Sequence, residues 1–80
     1  MTMTTTLDRL REGERATIHA VAGGHGIRHR LENIGVYPGD GVTVMRVGSM
    51  GGPVLIEIHG AHVAVGRSLA RSIEVDLGEA

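Results

Sequence analysis

Cysteine, lysine, phenylalanine and tryptophan are all missing from this 80-residue chain, and Tyr37 is its only aromatic ring. Without cysteine there is no disulfide framework, thiolate zinc site, iron–sulfur cluster or cysteine nucleophile. Without lysine there is no phosphate-binding P-loop, because that motif needs its invariant Lys. One ring gives single-stranded nucleic acid almost nothing to stack on, and the formal net charge of −1 does not attract a phosphate backbone. No apolar run approaches the roughly 20 residues that cross a bilayer. The N-terminal ten residues carry Asp8 and Arg9 and no apolar run, so they do not read as a signal peptide, and a cytoplasmic location is expected.

What is present is aliphatic. Nine Val, six Ile and six Leu must build the core, and 41% of residues are hydrophobic against 21% charged, the balance of a folded chain. At this length there is room for one domain, which buries only roughly 60–65% of its unfolded surface. That leaves little volume for a deep catalytic pocket and favours a binding or regulatory module. All eight cations are Arg, which reads first as codon bias and only second as phosphate or carboxylate recognition.

Along the chain, the Thr-rich start, residues 1–6, reads as disordered and frayed. Leu7 and Leu10 suit one helical turn, ended by Gly13. Glu14–Val21 alternates Ala16, Ile18 and Ala20 with polar residues, the period of a half-buried strand. After Gly23, Gly24 and Gly26 a helix is expected over His25–Ile34. Its apolar stripe is Ile27, Leu31 and Ile34, and its wet face carries His25, Arg28, His29 and Glu32. Gly35 fits the left-handed position after a helix, and Tyr37-Pro38-Gly39-Asp40 reads as a type II turn. Strands follow at Gly41–Val47, Val54–His59, His62–Val65 and Ser72–Asp76. A loop over Gly48–Pro53 carries Met50 at its tip, Gly60-Ala61 is expected to make a type II′ hairpin, and Arg67–Arg71 one tight turn. Residues 77–80 read as a tail. About five short strands with one short α-helix after the first strand give an all-β fold, a small closed barrel, with an open antiparallel sheet capped by the helix as the alternative.

No catalytic constellation emerges. Ser49, Ser68 and Ser72 sit in no nucleophile elbow, and no His–acid pair is spaced to serve them. Gly23-Gly24-His25-Gly26 lacks the third Gly of a dinucleotide fingerprint and reads as a sharp strand-to-helix turn, so GTP binding by this chain itself is not expected. His25 and His29, at i and i+4, are the candidate metal ligands, with Glu32 one turn further. A zinc site wants three or four protein ligands, so the solvated-face reading is preferred and any divalent ion there is expected to be adventitious. His59 and His62 flank the Gly60-Ala61 turn and read as solvated histidines; the metal alternative has them face each other across the hairpin. The partner surface is expected at Val36 and Tyr37 as apolar centre, Met50 as a soft loop tip, and His25, Arg28, His29 and Glu32 as polar rim.

The order Leu7-x2-Leu10-x2-Gly13, Gly23-Gly24, Arg30-Leu31-x2-Ile34-Gly35-Val36-x-Pro38-Gly39, Gly52-Pro53, Gly60, and Ala70-x2-Ile73-x-Val75 resembles the ferrous-iron transport protein A (FeoA) family over residues 7–76. The resemblance implies an SH3-like barrel and a small cytoplasmic, non-enzymatic accessory protein of ferrous-iron uptake without a cofactor. It implies as partner the cytosolic GTPase part of a FeoB-type membrane transporter, whose activity or assembly it modulates. The domain is also similar to the C-terminal module of DtxR-like metal-dependent repressors, but these 80 residues hold no helix-turn-helix. Two rival expectations stand beside this: a metal-binding or metal-sensing protein using the surface histidines, and weak homo-oligomerisation through a strand edge.

Overall fold

In the computed structural model, which describes residues 2–79, the chain forms six strands and two helices. They are β1 (Thr2–Thr6), β2 (Arg15–Val21), α1 (His25–Asn33), β3 (Gly41–Val47), β4 (Val54–Ile58), β5 (Ala61–Val65), α2 (Arg67–Ala70) and β6 (Ile73–Glu79). A single 3₁₀ turn occupies Leu7–Arg9, and Ser49–Gly51 is a tight turn with Met50 at φ 55°. All strands pair antiparallel in one sheet, in the order β1-β6-β2-β3-β4-β5.

The alternation that defines β2 and β4 in the sequence is realised in their burial. Ala16 and Ile18 of β2, and Val54, Ile56 and Ile58 of β4, point into the core while their neighbours face out. The sheet cannot be flat. β5 and β6 are four strand spacings apart, about 19 Å at 4.8 Å per spacing, yet Val65, Ile73 and Val75 share one buried cluster with Val44 and Ile56. The sheet therefore curls around its core into a small barrel. Irregular pairing between Thr2 and Thr4, Ile18 and Ala20, and Val44 and Arg46 supplies local bending, as bulges do. Leu7 and Leu10 on one side, and Ala70 of α2, complete the buried cluster. The core is wholly aliphatic, and no polar or charged side chain is buried among the described residues.

Four expectations need correction. The start does not fray: Thr2–Thr6 is β1, with Thr4 opposite Asp76 and Thr6 opposite Glu74. A run of β-branched Thr has no apolar alternation to announce it, but it suits a strand once β6 offers an edge. Likewise, Leu77–Glu79 is not a tail but the end of β6; Met1 and Ala80 lie outside the described residues. The hydrogen-bonded ladder ends at β1 and β5, so the barrel closes through its core and not through a continuous ring of strand pairs. Finally, the β4–β5 turn is centred on His59-Gly60, with φ of 52° and 77°, one residue earlier than expected. Positive φ at both central positions is the type I′ pattern, whose twist matches that of the flanking strands.

Candidate functional site

Helix α1 stops because Gly35 takes φ 84°, a left-handed conformation that a side chain would disfavour. Gly35 N–H donates to Glu32 O (3.0 Å) and Val36 N–H to Leu31 O (2.9 Å). This pair of bonds is the Schellman motif, which brings the residue after the left-handed position onto the helix's last inward turn. Val36, 1% exposed, is therefore buried with Leu31. That corrects its expected place at the centre of an exposed surface. Ile34, expected inward, is instead the helix cap and is 41% exposed.

The chain then enters the Tyr37–Asp40 turn. Asp40 N–H donates to Tyr37 O (3.1 Å), with Gly39 at φ 95°. The Asp40 carboxylate accepts from Tyr37 N–H at 2.9 Å and lies 3.0 Å from His59 Nε2. The Asp40 backbone O also accepts from Ile18 N–H at 2.8 Å, and Gly39 N–H donates to Ile18 O at 2.7 Å. The Asp40 side chain thus ties the turn to itself and to the β4–β5 hairpin, while the backbone of Gly39 and Asp40 ties it to β2. Asp40→Ala is expected to cost about 1.5–3 kcal/mol, the range for a hydrogen bond to a charged group. His59→Ala, whose ring is largely exposed, should cost less than about 1 kcal/mol. Urea denaturation of both variants, with amide exchange at Tyr37 and Gly39, checks this.

These elements frame an open groove of about 310 Å³ between α1, the end of β2 and the turn. Val21, Val36 and Pro38 supply its apolar lining; His19, Arg28 and Glu32 supply its polar lining. Tyr37, next to Pro38, is half exposed. Of the residues expected at a partner surface, the fold gathers Arg28, Glu32 and Val36 here and sets Tyr37 beside them. His25 and His29 stand exposed on α1 but do not line the groove. Met50 is fully exposed but lies in the tight turn at the far end of β3, roughly 20 Å of strand away. The expected surface is therefore two separate places. The contributions of His19, Val21 and Pro38 were not anticipated. The outward position of His19 follows from the alternation of β2, but its convergence with Arg28 depends on how α1 folds back.

The glycines before α1 have a backbone reason for being there. Gly23 and Gly24 take φ of 98° and 84°, and a Cβ on Gly23 would fall 2.6 Å from Ile27 Cδ1. His59 and His62 do not face each other: His62 Nε2 lies 3.3 Å from Glu57 Oε2 across the hairpin, and His59 turns to Asp40. Among the described residues no group of three or more His, Asp or Glu side chains is arranged to hold a metal ion, so His25 and His29 gain no third ligand. Among the described residues no helix is long and apolar enough to cross a membrane.

The sequence profile of the FeoA domain matches residues 5–77. A Methanocaldococcus jannaschii protein provisionally named Fe(2+) transport protein A is 35% identical over 69 residues, covering 86% of this chain and 82% of its own. The crystal structure of an iron uptake regulatory protein (FeoA) superposes with a TM-score of 0.84 at 32% identity, covering 94% of this chain and 99% of that one. A manganese-dependent transcriptional repressor shares the fold alone: its TM-score is 0.87 at 19% identity, and the match spans 99% of this chain but 44% of the repressor. The barrel is thus of the small SH3-like kind, and the chain belongs to the FeoA domain family.

Proposed function

We propose that this protein is a non-enzymatic cytoplasmic adaptor of ferrous-iron uptake. It docks through the α1 groove on the cytosolic GTPase part of a FeoB-type transporter and modulates its activity or assembly. Membership of the FeoA family carries the process. The observation that carries the docking site is the convergence of Arg28, Glu32 and His19 around an apolar lining, with half-exposed Tyr37 alongside. Interfaces favour this composition, an apolar centre with an aromatic anchor and a polar rim. Among the described residues the aliphatic core also holds no desolvated ionisable group of the kind that acid–base or nucleophilic chemistry uses.

The test is calorimetric titration against the transporter's soluble GTPase domain in its apo, GDP-bound and GTP-bound states. Tyr37→Ala is expected to weaken binding by about tenfold or more, as truncation of an aromatic anchor does. Met50→Ala, at the other end of β3, should leave it within about twofold. Absence of binding in every nucleotide state overturns the reading. Stoichiometric ferrous or zinc binding lost in a His25→Ala/His29→Ala variant would favour a metal-binding role instead.

A further inference from the structure

Three open grooves among the described residues differ in charge. The α1 groove just described pairs Arg28 with Glu32. A second, on the outer face of the sheet, sets Arg15 with Glu57 and Asp76. The third, about 350 Å³ on the opposite side of α1, is lined by Ile27 and Arg30 of the helix and by Gly66, Arg67, Ser68 and Leu69. Its lining includes Arg30 and Arg67 and no acidic residue, on a molecule whose net charge is −1.

Arg67 is held ready. Its Nε donates to Gly52 O (3.1 Å) and its Nη2 to Gly48 O (3.0 Å), so the half-buried side chain is fixed in place. Both partners are neutral carbonyls. They leave the charge uncompensated and leave three of the five guanidinium N–H groups uncommitted. Arg30 is exposed on α1, and among the described residues neither guanidinium makes an ion pair with a carboxylate. In the same lining Ile27 and Leu69 are half buried against the core and present aliphatic surface, and Gly66 adds no side chain.

We propose that this groove is a second docking site, which takes an acidic segment of a partner polypeptide with an aliphatic side chain seated between its carboxylates. Charge complementarity selects the carboxylates, and the fork of an Arg guanidinium matches a carboxylate in plane. The Ile27 and Leu69 surface selects a polypeptide over a bare anion, which would leave it uncovered. No ring lines the groove to stack a nucleobase. The proposal rests on the charges of this groove and stands apart from the transporter reading.

The test is amide and guanidinium NMR of the full chain, titrated with the peptide acetyl-Glu-Leu-Glu-Leu-Glu-amide. The glutamine counterpart and inorganic phosphate serve as comparison probes. Saturable shifts are expected at Ile27, Arg30 and Gly66–Leu69, with at least about tenfold weaker binding of the glutamine peptide, the scale of one lost charged contact. Arg30→Glu and Ser68→Glu, both at exposed positions, should each weaken binding by a similar factor with the spectrum otherwise intact. Arg15→Glu, the same charge change in another groove, should leave affinity within about twofold. The proposal is overturned by any of these results: no saturable shifts at these residues, equal response to the glutamine peptide, equal loss in Arg15→Glu, or phosphate moving the same amides at equal affinity.

Discussion

Leu31→Ala is expected to lower the melting temperature by about 8–40 °C. Leu31 is fully buried and is the point where α1 meets the barrel core. Truncating a buried Leu costs about 2–5 kcal/mol through lost transfer free energy and the cavity left behind. A domain of this size has only about 4–12 kcal/mol in total, and each kcal/mol shifts its midpoint by about 4–8 °C. The effect reaches the candidate site as well, because Leu31 O accepts the bond from Val36 N–H that closes the helix. A helix loosened there carries Arg28 and Glu32 away from Val21 and Pro38. Circular dichroism melting gives the first quantity, and titration with the GTPase domain the second. A drop under about 5 °C would mean that α1 is peripheral to the core.

Gly48→Ala is expected to cost about 2–3 kcal/mol, the scale of an overpacked site that cannot relax. A Cβ there would stand 2.7 Å from Pro53 O and 2.8 Å from Gly52 C, both backbone atoms. Relief requires the β3–β4 hairpin to open at its neck, where Gly48 N–H donates to Pro53 O (2.9 Å). The same movement displaces the carbonyls that hold Arg67. Gly13→Ala separates crowding from conformational preference. Gly13 has φ 88° but open space around it, so only the left-handed penalty of about 1–2 kcal/mol applies. Equal losses in the two variants, measured by urea denaturation, would remove crowding as the cause.

Much of this architecture is legible in the residues. The period of two in Ala16-Thr17-Ile18 and in Val54 to Ile58 places two strands and their inward faces. The spacing of Ile27 and Leu31, with Gly35 beyond, places α1 within a residue of its end. Other features depend on partners distant in sequence. Thr2–Thr6 becomes a strand only because β6 lies beside it. Val36 looks exposed when read as the start of a turn. Its burial follows only when Gly35 is carried one step further, into the bond to Leu31. The I′ turn needed His59 in a left-handed conformation, which the sequence favours less than the adjacent Gly60. The candidate site was half visible. Arg28 and Glu32 share a helix face by spacing alone, whereas His19 and Pro38 join them through the pairing of β2 with the following turn.

The position of β1 also bears on when the protein can finish folding. Thr4 and Asp76 face each other across the β1–β6 ladder although they are roughly 70 residues apart along the chain, among the most distant pairings an 80-residue protein allows. Ile73 and Val75 enter the core on the same late strand. A growing chain can form the β3–β4–β5 meander early, but β1 has no neighbour until Ile73–Glu79 has been made. Completion of the barrel therefore waits on β6, the strand that sits between β1 and β2.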